Sequence, residues 1–296
     1  MEKILLDTDI GNDIDDSICL AYLLCQRNCD LLGITTVTGE PVERAKQASA
    51  ICKAVGRDDI PIYPGAEHPL ITSQKQGISH QKRFLDRWPH ENEFPNGEAI
   101  EFMRQTIRSN PGEVILLGIG PLTNIALLFC IDAEIPFLLK ELVLMNGVFF
   151  TYSYKGQPCL SEWNARCDPH AAAIVYQAPV SNIRAIGLDV TSIVTLEKES
   201  IVSNFNDGIL KTVFDFSGID NNSSHSITFH DPLAATTIFN KELCIFERGN
   251  VDIEFGSKHI EGLTRFTLEE NGKCEVAISV DKGKFFEHYF TVTKSE

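Results

Sequence analysis

The chain predicts an α/β fold, with a mainly parallel central sheet flanked by helices, a small antiparallel extension near the C-terminus, and residues 1–296 in a single domain. Three observations carry that expectation. Short apolar runs recur at residues 4–6, 31–37, 114–117, 142–145 and 183–188, the pattern of strands buried on both faces. Segments with helical spacing accompany them at 16–26, 42–55, 99–109, 122–129 and 169–176, which makes a βαβ rhythm. After about residue 251 the pattern changes to alternating segments at 251–255, 264–268 and 274–280, an antiparallel edge, before a last helix at 282–290.

Composition narrows the function. With 43% hydrophobic and 23% charged residues, and no long Pro/Gly/Ser-rich tract, the whole chain is expected to fold. A formal net charge of −15 argues against nucleic-acid binding, which needs a dense field of Lys and Arg, and favours a small neutral or cationic ligand. The nine cysteines are scattered, odd in number and free of any CxxC pair, so they read as reduced thiols rather than a zinc site or disulfide framework. The leading apolar run is too short for a signal segment and no other run could span a membrane. The expectation is a cytoplasmic protein without a membrane or nucleic-acid partner. Residues 73–96, polar and aromatic with Pro89 and Pro95, read as a long excursion of the functional or mobile kind.

The first apolar run leads directly into Asp7-Thr8-Asp9-Ile10-Gly11-Asn12-Asp13-Ile14-Asp15-Asp16, five aspartates in ten residues ahead of the first helix. At the carboxyl end of a parallel strand such residues face the crevice where open α/β sheets bind ligands, and Gly11 permits the tight turn. Carboxylates this close repel one another unless a cation lies among them, and their hard oxygens select Ca²⁺ or Mg²⁺. The alternative is that Asp13, Asp15 and Asp16 only favour the positive end of the helix, a surface effect of about 0.3–1 kcal/mol each. That leaves Asp7 and Asp9 unexplained, because residues two apart on a strand share a face.

Two more segments are candidates. In Thr228-Phe229-His230-Asp231-Pro232-Leu233-Ala234 a His-Asp pair precedes an apolar helical run, with Pro232 suited to the first turn. Asp231 reads as a site carboxylate or an N-cap, and His230 as a site residue or a partly buried structural one. In Gly118-Ile119-Gly120-Pro121-Leu122-Thr123-Asn124 the glycines either leave backbone carbonyls free to meet a metal or simply make a tight turn.

Together these segments resemble the inosine-uridine nucleoside hydrolase family, in the same order along nearly the whole chain. LLDTDIGNDIDD is similar to the family's amino-terminal aspartate signature, GITTVTGE to its second strand and turn, and LLGIGPLTNIA to its metal-carbonyl loop. LVLMNG is similar to the next strand, SEWNARCDPHAA to the sugar-binding segment, and FHDPLAA to the distal His-Asp pair. The resemblance implies a Ca²⁺-dependent N-glycosidase that hydrolyses small-molecule ribonucleosides to ribose and free base, in purine or pyrimidine salvage, as a homodimer or homotetramer. It implies Asp9, Asp16, Asp231 and the backbone carbonyl of Ile119 as Ca²⁺ ligands, in a shell of roughly seven or eight oxygens at about 2.3–2.6 Å. Asp9 would also take a proton from the attacking water, Asp15 and Asn164 would hold the ribose 2′- and 3′-hydroxyls, and Glu162 would reach the 5′ side. His230 would protonate the departing base. Such roles suit a reaction in which positive charge develops on the ribosyl ring, where carboxylates act most strongly in the transition state.

Three positions depart from the family pattern. The aspartate signature carries one extra residue, so either Asp13 or Asp15 meets the sugar. Glu40 stands where many relatives carry an asparagine after glycine, and is expected as a further charge beside the cation and substrate. Residues 152–157 lack the asparagine expected at the sugar. These departures favour a modified or cationic nucleoside, with His80, Phe84 and Trp88 covering the base. Trp163 reads as core or as a wall of the ribose pocket. Two other functions compete. A phosphatase resembling the haloacid dehalogenase family would leave Asp13, Asp15, Asp16 and the His-Asp segment without a use. A non-catalytic nucleoside- or ribose-binding protein would keep the fold but release no ribose.

Overall fold

A computed structural model describes residues 1–150, 153–154, 157–218 and 226–294, and among them the apolar runs assemble into a nine-stranded sheet. Its strands are β1 (Glu2–Thr8), β2 (Cys29–Thr36), β3 (Ile62–Pro64), β4 (Val114–Gly118), β5 (Glu141–Met145), β6 (Ile183–Ile186), β7 (Cys244–Glu254), β8 (Leu263–Leu268) and β9 (Cys274–Val280). Their spatial order is β8-β7-β9-β6-β5-β4-β1-β2-β3. Each pairing from β3 across to β9 is parallel, and β7 runs antiparallel to β9 and β8. The antiparallel extension is present as expected. Because β9 lies parallel to β6, the extension continues the main sheet rather than standing apart from it.

The pleat sorts side chains into two cores. Ile4 and Leu6 of β1, Ile115 and Leu117 of β4, and Val143 of β5 face one side, whereas Leu5, Val114, Leu116, Leu142 and Leu144 face the other. Burial on both sides is why β4 and β5 read as unbroken apolar runs. Helices α1 (Asp15–Cys25) and α2 (Pro41–Ala54) cover the first face, and α3 (Ala99–Ser109) and α4 (Thr123–Ile131) the second. Then α5 (Trp163–Cys167) and α6 (Pro169–Gln177) join the second face, while α7 (Gly208–Ser217), α8 (His230–Phe239) and α9 (Lys282–Thr293) complete the first. α1 is buried from Asp15 to Leu23, wedged among α2, α7, α8 and α9. A helix enclosed on all sides can afford an apolar surface all round.

The structure departs from the sequence reading in several places. The run at 183–188 stops as a strand at Ile186, because the Leu188 N–H is drawn to the Gly147 carbonyl at 2.9 Å and the chain turns into a short helix, Leu188–Thr191. β3, three residues long and ending in proline, is too short to show a period, and α7 and the helix Lys198–Asn204 were not anticipated. The excursion at 73–96 contains a 3₁₀ helix, His80–Arg87. Of 152–157, residues 152, 155 and 156 lie outside the described residues.

Asp168 locks the junction of α5 and α6. It is fully buried and caps α6, its Oδ1 accepting from the Ala171 N–H at 3.0 Å, while Oδ2 accepts from the Leu70 N–H and the Thr123 hydroxyl, both at 2.8 Å. Asp168→Ala leaves three donors without their partner in the interior, a loss of roughly 2–4 kcal/mol. The expected result is a lower urea midpoint at unchanged slope; an unmoved midpoint would show that these bonds add no net stability.

Candidate active site

Several strand ends and two helix N-termini converge at the carboxyl edge of the sheet. β1 runs out toward Asp9, α1 carries Asp15 and Asp16 in its first turn, and α8 carries Asp231 in its own. Ile119 follows β4, and α5 brings Glu162 at its cap and Asn164 in its first turn. Asp9, Asp13, Asp15, Asp16, Ile119, Glu162, Asn164, His230 and Asp231 all line one cavity of about 450 Å³. Among the described residues, its wall includes six carboxylates and no lysine or arginine.

Asp15, Asp16 and Asp231 form the tightest group: each offers a carboxylate oxygen, and these oxygens lie within 4.8 Å of one another. Burial raises the pKa of all three, and neighbouring carboxylates push in the same direction: Asp13 and Asp9 on Asp15, Asp9 and Asp15 on Asp16, and Asp15, Asp16 and Asp9 on Asp231. The partial positive ends of α1 and α8 meet at this point and offset part of that repulsion. Oxygens so spaced match ligands about 2.3–2.6 Å from a shared centre, and an all-oxygen set suits a hard divalent cation. The donor chemistry therefore fits a metal such as calcium. Phe229 holds the N-cap position of α8, so Asp231 is not a cap but a first-turn carboxylate turned into the cavity.

The remaining groups are anchored individually. Glu162 accepts from the backbone N–H of Asn164 at 2.6 Å, Ala165 at 2.9 Å and Gly147 at 3.2 Å, yet burial pushes its carboxyl up to about 7. Asn164 donates through Nδ2 to the carbonyl of Ile119 at 2.9 Å and of Met145 at 3.2 Å. A carbonyl has two lone pairs, so Ile119 keeps one for a further partner. The Nδ1 of His230 pairs with the Thr191 hydroxyl at 2.7 Å, leaving Nε2 for a ligand, and burial pushes the ring down to about 4. A second cavity of about 350 Å³ adjoins the first, sharing Asn12, Asp13, Asp15 and His230 and adding the polar walls of Gln81, Ser217, Ser226 and Thr228.

The profile of the inosine-uridine preferring nucleoside hydrolase family matches residues 4–287. The chain belongs to that family. Among its relatives, the inosine-uridine preferring nucleoside hydrolase of Leishmania major is 28% identical over 303 residues, covering 96% of this chain and 95% of the relative. Uridine nucleosidase 1 of Arabidopsis thaliana is 26% identical over 272 residues, covering 86% and 78%. In fold, the chain is similar to the purine-preferring ribonucleoside hydrolase from Gardnerella vaginalis, with a TM-score of 0.83 at 22% identity over 99% of this chain and 98% of the other. This nucleoside hydrolase is thus an N-glycosidase acting on ribonucleosides, and the phosphatase and non-catalytic readings give way. Among the described residues no helix is long and apolar enough to cross a membrane.

Some expectations need correction. Glu40 does not line the cavity: its carboxylate meets Lys82 Nζ at 2.5 Å and the Ser79 N–H at 2.9 Å, and Lys82 holds its pKa below the usual range. Asp7 lies on β1 but not in the cavity; it accepts from Thr35 at 2.5 Å and Asn124 at 2.7 Å inside the sheet, where burial pushes it up to about 7. Asp9 lies past the end of β1, beyond the reach of the strand pleat. Asp13 is exposed at the junction of the two cavities, whereas Asp15 is buried in the carboxylate group. Of the excursion's aromatics only His80 reaches the cavity, because Phe84 and Trp88 pack against the core. Trp163 is not core: it is half-exposed on the cavity wall.

Two residues escaped sequence reading. Arg44 is fully buried, donating from Nε to the carbonyls of Thr38 at 2.7 Å and Gly39 at 2.9 Å, and from Nη1 to those of Asp9 and Ile10. Gln76 donates to Asp9 Oδ2. Neither belongs to a motif with a chemistry of its own; the only signal was the length of the excursion that carries Gln76.

Crowded buried carboxylates oppose folding when no cation is bound. In chelator, Asp231→Asn removes one charge and adds an amide donor for its neighbours, and the protein is expected to gain about 1–2 kcal/mol of stability. Saturating calcium should stabilise the parent more than the variant in thermal melts. A variant less stable than the parent in chelator would show that the carboxylates are not in electrostatic conflict.

Proposed function

We propose that this enzyme is a calcium-dependent ribonucleoside hydrolase in which Asp9, Asp16, Asp231 and the Ile119 carbonyl hold the cation, with Asp15 beside them on the ribose hydroxyls. The observation that carries this reading is the convergence of Asp15, Asp16 and Asp231 oxygens within 4.8 Å in a cavity that Asp9 and Ile119 also line. When bound, calcium supplies the positive charge that balances these carboxylates and acidifies water at this point.

The chain's own groups do the rest. Asp9 accepts the proton of the attacking water, a base already aligned by the hydrogen bond that Gln76 donates to its Oδ2. Asn164, held between the Ile119 and Met145 carbonyls, and Asp15 orient the ribose diol, and Glu162 takes the 5′ side. As the N-glycosidic bond lengthens, the ribosyl ring becomes cationic, and surrounding carboxylates stabilise that charge more than the neutral substrate. His230, at the boundary of the two cavities, faces the departing base; burial favours its neutral ring, so it would donate a hydrogen bond through Nε2 and pass on a proton only where a bound ligand's charge raises its pKa. The six carboxylates of the wall also support acceptance of a cationic or modified base.

Reducing-sugar release from a panel of purine and pyrimidine ribonucleosides, with calcium and with chelator, tests the reading. Ribose should appear only with calcium; equal release in chelator would overturn the metal assignment. Asp9→Asn is expected to lower kcat by at least about a hundredfold. His230→Ala should slow nucleosides with poor leaving groups far more than an activated nitrophenyl riboside, and equal losses on both would exclude proton donation to the base.

A further inference from the structure

Gln76 lies on the loop between β3 and the 3₁₀ helix, and its side chain is buried at the cavity wall with only 5% of the residue exposed. A glutamine side chain has a donor end and an acceptor end, and here each meets a group that can use only that end. Nε2 donates to Asp9 Oδ2 at 2.5 Å, and Oε1 accepts from the indole N–H of Trp163. An indole only donates and an ionised carboxylate only accepts, so the reversed amide would lose both bonds. Trp163 is 47% exposed and stands on the wall of the same cavity. One amide therefore links a solvent-facing ring to the buried carboxylate. The loop is seated for this: the Gln76 N–H donates to Gln74 Oε1 at 2.9 Å, and its carbonyl rests so close to Gly39 that a Cβ there would come within 2.1 Å.

We propose that Gln76 is a positioning residue for Asp9 and that Trp163 in turn sets Gln76. By engaging Oδ2, the amide holds the Asp9 carboxylate in one orientation and leaves Oδ1 for the reacting water. The role is specific to glutamine at this span. Asparagine is one methylene too short, glutamate sets a like charge against Asp9, and methionine matches the length while making neither bond. The inference rests on the assignment of Asp9 as base made above.

The test compares Gln76→Met, Trp163→Phe and the double variant in steady-state kinetics with calcium. Gln76→Met is expected to lower kcat about tenfold with KM held within about twofold, since a bond to a charged group is lost from the base and not from the substrate. Trp163→Phe is expected to cost less, and the double variant no more than Gln76→Met alone, as members of one chain of contacts are not additive. A readout free of turnover uses metal-free protein in a Trp88→Phe background, where Trp163 is the remaining indole. Its emission should shift on Gln76→Met as the N–H loses its acceptor. An unchanged emission, an unchanged kcat, or a loss confined to KM would overturn the proposal. If Asp9→Asn is inert while Gln76→Met keeps full kcat, the positioning role is wrong and the site reading stands; if Asp9→Asn stays active, the site reading fails and takes this inference with it.

Discussion

The constraint on which the site depends is the gathering of like charges in a closed space. Asp15, Asp16 and Asp231 come within 4.8 Å of one another, with Asp9 and Glu162 on the same wall. In water, charges at such distances repel weakly, but away from solvent the repulsion and the loss of hydration are both large. The fold must therefore hold the carboxylates on elements that cannot give way. It does so with two helix N-termini aimed at one point and with α1 buried along almost its whole length. The same crowding gives the site an all-oxygen, negatively charged donor set, which fits a hard cation.

The turns around the site are held by a single guanidinium. Thr38 and Glu40 have positive φ values of 61° and 43°, with Gly39 between them at 29°. Left-handed backbone at non-glycine residues is strained and persists only where surrounding bonds over-determine it. Arg44 supplies them, bridging the carbonyls of Thr38 and Gly39 to those of Asp9 and Ile10, so that the segments following β1 and β2 are tied together. Its charge also lowers the pKa of Asp9 against the effect of burial. Glu40 contributes to this same frame through Lys82 and Ser79, which binds the long excursion to the turn.

The excursion is in this way part of the site's construction. It brings Gln76 and His80 to the cavity, while Phe84 and Trp88 anchor it on the core. The second cavity opens beside it with polar walls and shares Asp13, Asp15 and His230 with the first. The two adjoining cavities thus differ in character, one dense in carboxylate and the other with more amide and hydroxyl groups on its wall.

The sequence by itself determined the parallel sheet, most of its strands and the aspartate-rich turn that follows the first strand, because periodicity and strand-end position are local properties that survive in one dimension. It also determined the family, through motifs in a fixed order that the profile over residues 4–287 bears out. Tertiary structure alone decided that Asp7 belongs to the interior of the sheet, that Glu40 faces Lys82 and not the cavity, and that Asp15 rather than Asp13 joins the buried group. It alone showed Arg44 and Gln76, which touch residues 35 and 67 positions away. A charge or an amide takes its role from the partner it meets across the fold, and no local pattern records which partner that will be.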